Sequence, residues 1–446
     1  MIEYKGKKVV IIGLGLTGLS CVKFFLKKGV IPRVIDTRLC PPQLKQLPKN
    51  VEFHLGEFNT DWLFQADLII TSPGIDLSCQ ELQQALNKGI EILGDIELFC
   101  RELTVPIIAI TGSNGKSTVT VLIKEMAKAA GYQVGVGGNI GFPVLDLLNE
   151  PIKQLYILEV SSFQLEVTNS LRANVATILN VSENHLNRYP LGINQYRNVK
   201  MRIYQNALIY VINKDDPSII PENSNNQNSI SFGINKGDYH LVNNKDEIYI
   251  KNIYYDQNFN IENIKITGQH NYINILAALA LAGAIGLPYN SSLETLCSFK
   301  GLKHRFQLIT EHKGIKWIND SKSTNIKSTE AALFSLNSSL KFKGTIWLLL
   351  GGDGKNADFS SLRRYVINKN IRFFCFGKDG KKIASMNPEI STYTKTMQQA
   401  VMQIASLVKT NDTVLLSPAC ASLDQFDNFE HRGNIFIKLV KKIINE

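Results

Sequence analysis

Residues 111–118 read TGSNGKST, between the apolar run PIIAI and the helical pattern VTVLIKEMAKAAG. A glycine-rich turn from strand to helix lets backbone amides face a phosphate, here those of Gly112, Ser113, Asn114, Gly115 and Lys116. The Lys116 ammonium then meets β and γ oxygens, and Ser117, next to Thr118, offers a hydroxyl to magnesium. That is the chemistry of ATP. The turn is a shortened P-loop: only Ser113 and Asn114 separate its glycines, and Ile110 stands where an earlier glycine would be.

A second glycine turn opens the chain. Gly13, Gly15 and Gly18 form an intact G-x-G-x-x-G after the strand VVII, and Asp36 ends the next strand, RVID. This spacing brings backbone to a diphosphate at a helix N-terminus and offers Asp36 to a ribose. A nicotinamide dehydrogenase and other nucleotide binders fit it equally. Downstream, Glu159 ends the apolar run YILE, and His185 lies in the loop of ILNVSENHLNRYP. Carboxylate and imidazole at the C-terminal ends of parallel strands are placed to hold magnesium near the P-loop phosphates. Lys200, in YRNVKMRIY, reads by residue type as a solvated helix cation.

Strands alternating with helical stretches position these groups, which argues a parallel α/β architecture. Three strand-to-glycine starts divide the chain. The first runs from residue 7 through a helix at Gly18–Lys28 to a strand at Arg33–Asp36. The second runs from residue 106, with further strands at Tyr156–Val160 and Val175–Asn180. The third follows Gly301, where IKWIND, TIWLLLGGDGK, IRFFCFG and DTVLLSPACASLDQF are apolar strands entering polar loops. Between 223 and 263 an Asn-rich stretch alternates like strands in SISFGI, DYHLV and EIYIKNIYY and reads as an antiparallel β excursion.

Composition narrows the class. With 446 residues, 44% hydrophobic and 20% charged, the chain reads as an ordinary globular protein of several domains. The net charge of +10 suits anionic small substrates, because Lys and Arg are dispersed rather than clustered as nucleic-acid binding requires. Seven scattered cysteines without a C-x-x-C pair read as buried thiols. The apolar run Ile273–Leu287 is too short to span a bilayer and reads as a buried helix. With no secretory leader at the N-terminus, a cytoplasmic protein is expected.

The motifs TGSNGKST, EVSSFQLE, NVSENHLNRYP, YRNVKMRIY, GQHNYINILAALA, LKHRFQ, INDSKSTN, LLLGGDGKNADF and LLSPACASLDQFDNFEHRG resemble, in order and spacing, the Mur ligase family. The similarity covers essentially the whole chain. SPGI at Ser72–Ile75 and the closing segment bring it nearest to members that take D-glutamate.

The resemblance implies three domains: an N-terminal Rossmann-like parallel sheet (1–97), a central P-loop ATPase-like α/β domain with a small antiparallel excursion (98–301), and a C-terminal Rossmann-like α/β domain (302–446). It implies that the first binds UDP-N-acetylmuramoyl-L-alanine rather than NAD, through Leu16, Thr17, Asp36, Thr37, Arg38 and Gly74, with Asn139 between substrate and metal. ATP would meet Gly112–Thr118, Asn271, Arg305 and Asp320. Two Mg2+ ions would be held by Ser117 and Glu159 and by His185 and Lys200, the last as a CO2-derived carbamate. D-glutamate would meet Lys322, Thr324, Lys355, Ser422, Leu423 and Phe429. The implied reaction is ATP-dependent amide formation through an acyl phosphate, in cytoplasmic peptidoglycan precursor synthesis by a monomer, with Lys116, His185 and Lys200 as catalytic residues. The family more often has Asp where Asn184 and Asn187 flank His185, and weaker magnesium binding is expected from that loss of charge.

Overall fold

The structure is a computed structural model that describes residues 3–184, 188–222, 228–244, 247–266, 268–337, 344–355, 357–365 and 370–445. The chain separates into two compact units, residues 1–264 with 273–298, and residues 265–272 with 299–446. The first unit carries two sheets and the second carries one.

The first sheet contains β1 (Val9–Ile12), β2 (Arg33–Asp36), β3 (Phe53–Leu55), β4 (Leu68–Thr71) and β5 (Glu91–Leu93). Its order is β3-β2-β1-β4-β5, parallel throughout. Val9 and Ile11 point into one core and Val10 and Ile12 into another, as expected for a strand covered on both faces. The helix after the first glycine turn runs Leu16–Lys27, starting before the expected Gly18. Gly18 is needed there for space. A Cβ on it would lie 1.8 Å from the Gly13 carbonyl oxygen, so the helix abuts the turn directly.

The second sheet contains β6 (Ile107–Thr111), β7 (Val134–Gly138), β8 (Leu155–Glu159), β9 (Val175–Ile178), β10 (Ile209–Asn213), β11 (Ser229–Phe232), β12 (Tyr239–Asn244), β13 (Glu247–Asn252) and β14 (Tyr255–Asn260). Its order is β14-β13-β12-β11-β10-β9-β6-β8-β7. Because β8 and β9 flank β6 on opposite sides, the chain reverses direction across the sheet there. Such a switch point opens a crevice at the strands' C-terminal ends. The antiparallel excursion is smaller than expected: SISF of β11 pairs parallel to β10, and only β12, β13 and β14 run antiparallel. The expected buried helix runs Gln269–Ala284, with Asn274–Ala282 buried.

Helix Asp95–Glu102 links the first two sheets through buried acids. Glu97 accepts from the Asn169 and Ser170 amides and the Ser170 hydroxyl, each at 2.7 Å, and pairs with Arg101. Asp95 accepts from the Gln164 side-chain amide at 3.3 Å and from backbone N–H groups at the helix start, and burial, the larger effect, still pushes its carboxyl up to about 6.

The third sheet contains β15 (Gln307–His312), β16 (Ile315–Asn319), β17 (Ile346–Gly351), β18 (Ile371–Phe376), β19 (Ser391–Tyr393) and β20 (Thr413–Leu416), in the order β15-β16-β20-β17-β18-β19. All pairs are parallel except β15 with β16. Alternate residues of β18 feed two cores, Phe373 and Cys375 on one face and Phe374 and Phe376 on the other. No described helix is long and apolar enough to cross a membrane.

Candidate active site

The turn after β6 folds as it does because of Gly115. Its φ is +85°, and a Cβ there would lie 2.2 Å from the Asn274 side-chain oxygen, so it alone can cap helix Lys116–Ala129 at that approach. The loop is laced to the segment after β9. Ser113 N–H donates to the Asn180 carbonyl at 2.9 Å, and Asn114 N–H to Asn180 Oδ1 at 2.9 Å. The Ser113 hydroxyl accepts from Ser182 N–H at 2.9 Å. This corrects one expectation: the amides of Ser113 and Asn114 are spent within the protein.

Two amines converge on the same carbonyl. Lys116 Nζ donates to Gly112 O at 2.8 Å and to Ser113 O at 3.2 Å. Lys200 Nζ donates to Gly112 O at 3.1 Å and to Thr111 Oγ1 at 3.2 Å. Lys200 is no solvated cation: helix Ile193–Met201 turns it inward, 1% exposed, over the Tyr196 ring at 4.7 Å. Burial first, and the Lys116 charge second, hold its ammonium well below the usual lysine range, against the opposing pull of Glu159.

Glu159 ends β8 beside Gly138 of β7. Its Oε1 accepts from Asn139 Nδ2 at 2.8 Å, whereas Oε2 is enclosed without a hydrogen-bond partner among the described residues. A buried carboxylate oxygen with an unused lone pair suits a divalent cation, which would compensate its charge. His185 and Asn187 lie outside the described residues. Ser117 and Thr118 occupy the buried first turn of the helix.

In the first sheet the UDP-sugar candidates gather around the turn after β1. Ser72 Oγ donates to Gly13 O at 3.0 Å, drawing the turn at Gly74 toward that of Leu16 and Thr17. Asp36 does not offer a free carboxylate to a ribose. It accepts from Leu14 N–H at 2.6 Å and, in a bidentate pair, from Arg38 Nε at 2.9 Å and Nη2 at 2.7 Å. Burial would raise its carboxyl, but these donors outweigh burial and hold it below the usual range. Thr37 is exposed beside it.

The second unit holds Asn271, Arg305 and Asp320. Asp320 is also internally engaged, accepting from Phe306 N–H at 3.0 Å and from the hydroxyls of Ser323 and Ser417 at 2.5 and 2.8 Å. Burial leads and pushes its carboxyl up to about 6 in spite of these bonds. Of the amino-acid candidates, Lys322 sets its ammonium 3.7 Å from the Phe429 ring centroid, so that face carries a cation as well as apolar surface. The Asp353–Ala421 bridge joins the GGDGK turn of Lys355 to the segment of Ser422 and Leu423. Lys355 sits at φ +50°, its N–H donating to Asp353. Thr324 follows in the same turn as Lys322, its N–H on the Lys322 carbonyl. Sequence reasoning missed Tyr196, Asn180 and Asn274. Only Tyr196 carried a signal, four residues before Lys200 on one helix face.

Family models match along nearly the whole length: the MurD-like N-terminal domain of Mur ligases over residues 7–94, the Mur ligase middle domain over 110–282, and the Mur ligase glutamate ligase domain over 304–420. Among solved structures, MurF ligase from Thermotoga maritima in complex with ADP aligns with TM-score 0.65 at 17% identity, covering 99% of this chain and 97% of that one. A pseudomurein peptide ligase type C from Methanothermus fervidus aligns with TM-score 0.63 at 18% identity, covering 98% of this chain and 100% of that one. The chain belongs to the Mur ligase family and is an ATP-dependent ligase. Relatives from Escherichia coli (strain K12) and Yersinia pseudotuberculosis serotype I (strain IP32953) are 57% and 56% identical over 443 residues, covering 99% of this chain and 100% of each relative. Both carry the name UDP-N-acetylmuramoylalanine--D-glutamate ligase.

Proposed function

We propose that the chain joins the amine of D-glutamate to the alanyl carboxylate of UDP-N-acetylmuramoyl-L-alanine, with ATP converted to ADP and phosphate. The observation that carries this reading is the convergence of Lys116, Lys200 and Glu159 at the P-loop switch point, in a chain similar over its full length to ligases of that name. The substrate carboxylate oxygen bonds to the γ phosphorus as the bond to ADP breaks, giving an acyl phosphate. The amine then adds to the acyl carbon, loses a proton, and expels phosphate. Neither step needs a covalent protein nucleophile, so positioning and charge carry the rate. Lys116 supplies charge to the transferring phosphoryl group, with Asn271, Arg305 and Asp320 assigned to the rest of the nucleotide.

Glu159 with its unused oxygen, and Ser117, fit one magnesium ion, and His185 with a carbamylated Lys200 would hold a second; magnesium, when bound, lowers the charge on the phosphoryl oxygens. The depressed Lys200 amine supports carbamylation, since only a neutral amine adds to CO2. We assign the UDP-sugar to the turns at Leu16, Thr17, Asp36–Arg38 and Gly74, with Asn139, and D-glutamate to Lys322, Thr324, Lys355, Ser422, Leu423 and Phe429. One sheet each supports three domains, at 1–97, 98–301 and 302–446. The chain acts as a monomer in the cytoplasm.

Phosphate release from ATP with UDP-N-acetylmuramoyl-L-alanine tests the reading. Release that depends on D-glutamate supports it, and release unchanged without D-glutamate overturns it. Carbon-13 NMR with labelled bicarbonate should show a carbamate signal that Lys200→Ala removes.

A further inference from the structure

Among the described residues, Arg432 is the largest fully buried side chain, and its hydrogen bonds there go to carbonyls and a hydroxyl rather than to a carboxylate. Nη2 donates to Ser321 O at 2.8 Å, Nε to Ser321 Oγ at 3.0 Å and Nη1 to Cys420 O at 3.1 Å. Burying a guanidinium without a hydrogen-bonded carboxylate is expensive, and burial lowers its basicity to about 10 against the opposing pull of Asp424 and Asp320. A pair of apolar side chains would fill the same space at less cost.

What the arginine joins explains its position. Ser321 precedes Lys322 and Thr324 in one turn, and its hydroxyl donates to the Phe429 carbonyl at 2.8 Å. Cys420 precedes Ala421, whose N–H and C=O both pair with Asp353 of the GGDGK turn, two residues before Lys355. Ser422 and Leu423 follow directly. Two of its bonds hold the Ser321 segment and one the Cys420 segment against the helix that begins at Phe429, and the Asp353–Ala421 pair ties the Lys355 turn to the second of these, so the four segments that carry the six residues assigned to D-glutamate are linked through Arg432. A guanidinium does this and an ammonium does not, because its donors point in fixed coplanar directions.

We propose that Arg432 is a positioning residue for amino-acid recognition: from beneath the site it sets the distances among the Lys322, Lys355, Ser422 and Phe429 segments. The inference rests on the D-glutamate assignment made above. It places the determinant of affinity for the incoming amino acid in a residue that no ligand touches.

Arg432→Lys tests it, because the variant keeps the charge and loses the planar fork. We expect KM for D-glutamate to rise about tenfold, with KM for ATP and kcat within about twofold, as for loss of a charge-assisted contact. Circular dichroism and thermal melts would establish that the variant folds. Ser321→Ala serves where it does not: it keeps the arginine but removes the acceptor of Arg432 Nε and the link to Phe429, and should raise the same constant by a smaller factor. Lys322→Ala separates the two claims. If it leaves KM for D-glutamate unchanged, the site assignment is wrong and the inference goes with it. If it raises KM while the Arg432 and Ser321 variants do not, or if those variants raise both Michaelis constants equally, Arg432 is only a packing residue.

Discussion

The turn after β1 is held by an acid: Asp36 gathers Leu14 N–H and the Arg38 guanidinium, leaving its own carboxylate satisfied. The turn after β6 follows the same strand-to-helix plan, yet Asn180 and Ser182 lace it, and two amines meet on the Gly112 carbonyl. The first arrangement neutralises itself and presents backbone. The second sets the Lys116 ammonium and a Lys200 amine held well below the usual lysine range beside Glu159, one of whose carboxylate oxygens has no hydrogen-bond partner among the described residues. Glycine spacing thus sets the shape of both turns, while residues elsewhere in the sequence set their charge; on the proposed function, that difference separates a turn that holds a spectator diphosphate from one that serves phosphoryl transfer.

The largest effect should come from the reactive turn. Lys116→Ala is expected to lower kcat by about two orders of magnitude or more, the scale of one lost transition-state contact, with the melting temperature little changed because its hydrogen bonds reach loop carbonyls. A variant that keeps most of its activity would erase the distinction between the two turns.

Two buried acids sharpen the comparison. Asp36 has Arg38 and sits below the usual carboxylate range, whereas Asp95 has neutral amide donors, from Gln164 and the backbone, and sits at about 6 against an ordinary 3.8. Between those pH values the folded state keeps a proton on Asp95 that the unfolded chain has lost. The protein therefore loses stability as pH rises through that window, by up to about 3 kcal/mol above it. Asp95→Asn should raise stability in urea at pH 7.5 and lose that advantage by pH 4. Equal stability of variant and wild type at pH 7.5 would mean that the acid is better compensated than its Gln164 contact indicates.

Asp36→Asn comes next. It keeps an acceptor but discharges the Arg38 pair, so KM for the UDP-sugar should rise about tenfold with KM for ATP unchanged. A parallel rise in both would mean that the two turns are not independent. The smallest effect is expected from Gly15→Ala. Nothing lies within 4 Å of a Cβ there, and its φ of −90° suits alanine, so melting should not move. Calorimetry should still show UDP-sugar binding weakened several-fold, by contact with the diphosphate. Undiminished binding would place the diphosphate elsewhere.

The strand starts, the shortened P-loop and the helix of Lys200 were legible because each is a local pattern of period and punctuation. Short edge strands were not: β19 has three residues, and β15 pairs antiparallel at the margin with a half-exposed face, so neither shows a clean alternation. Lys200 reads as a surface cation because its burial is set by Thr111 and Gly112, nearly ninety residues away. Spacing alone marks Asp36 as a candidate ribose contact but does not show that its carboxylate also pairs with Arg38, two residues on, and accepts from Leu14 N–H. Arg432 carries no sequence signal as a hub, since its partners at Ser321 lie 111 positions upstream.

Gly18 and Gly115 have a consequence for resistance to inhibitors. Any side chain at Gly18 would collide with a backbone oxygen 1.8 Å from its first carbon, and any at Gly115 would meet Asn274 at 2.2 Å from a left-handed backbone. Escape by substitution at either position destroys the turn itself. A compound that draws its affinity from bare main chain at these two points presses on a surface that substitution there cannot redraw without losing the turn, whereas one that relies on the exposed side chains of Leu16 or Thr37 meets positions where the fold itself sets no such steric limit.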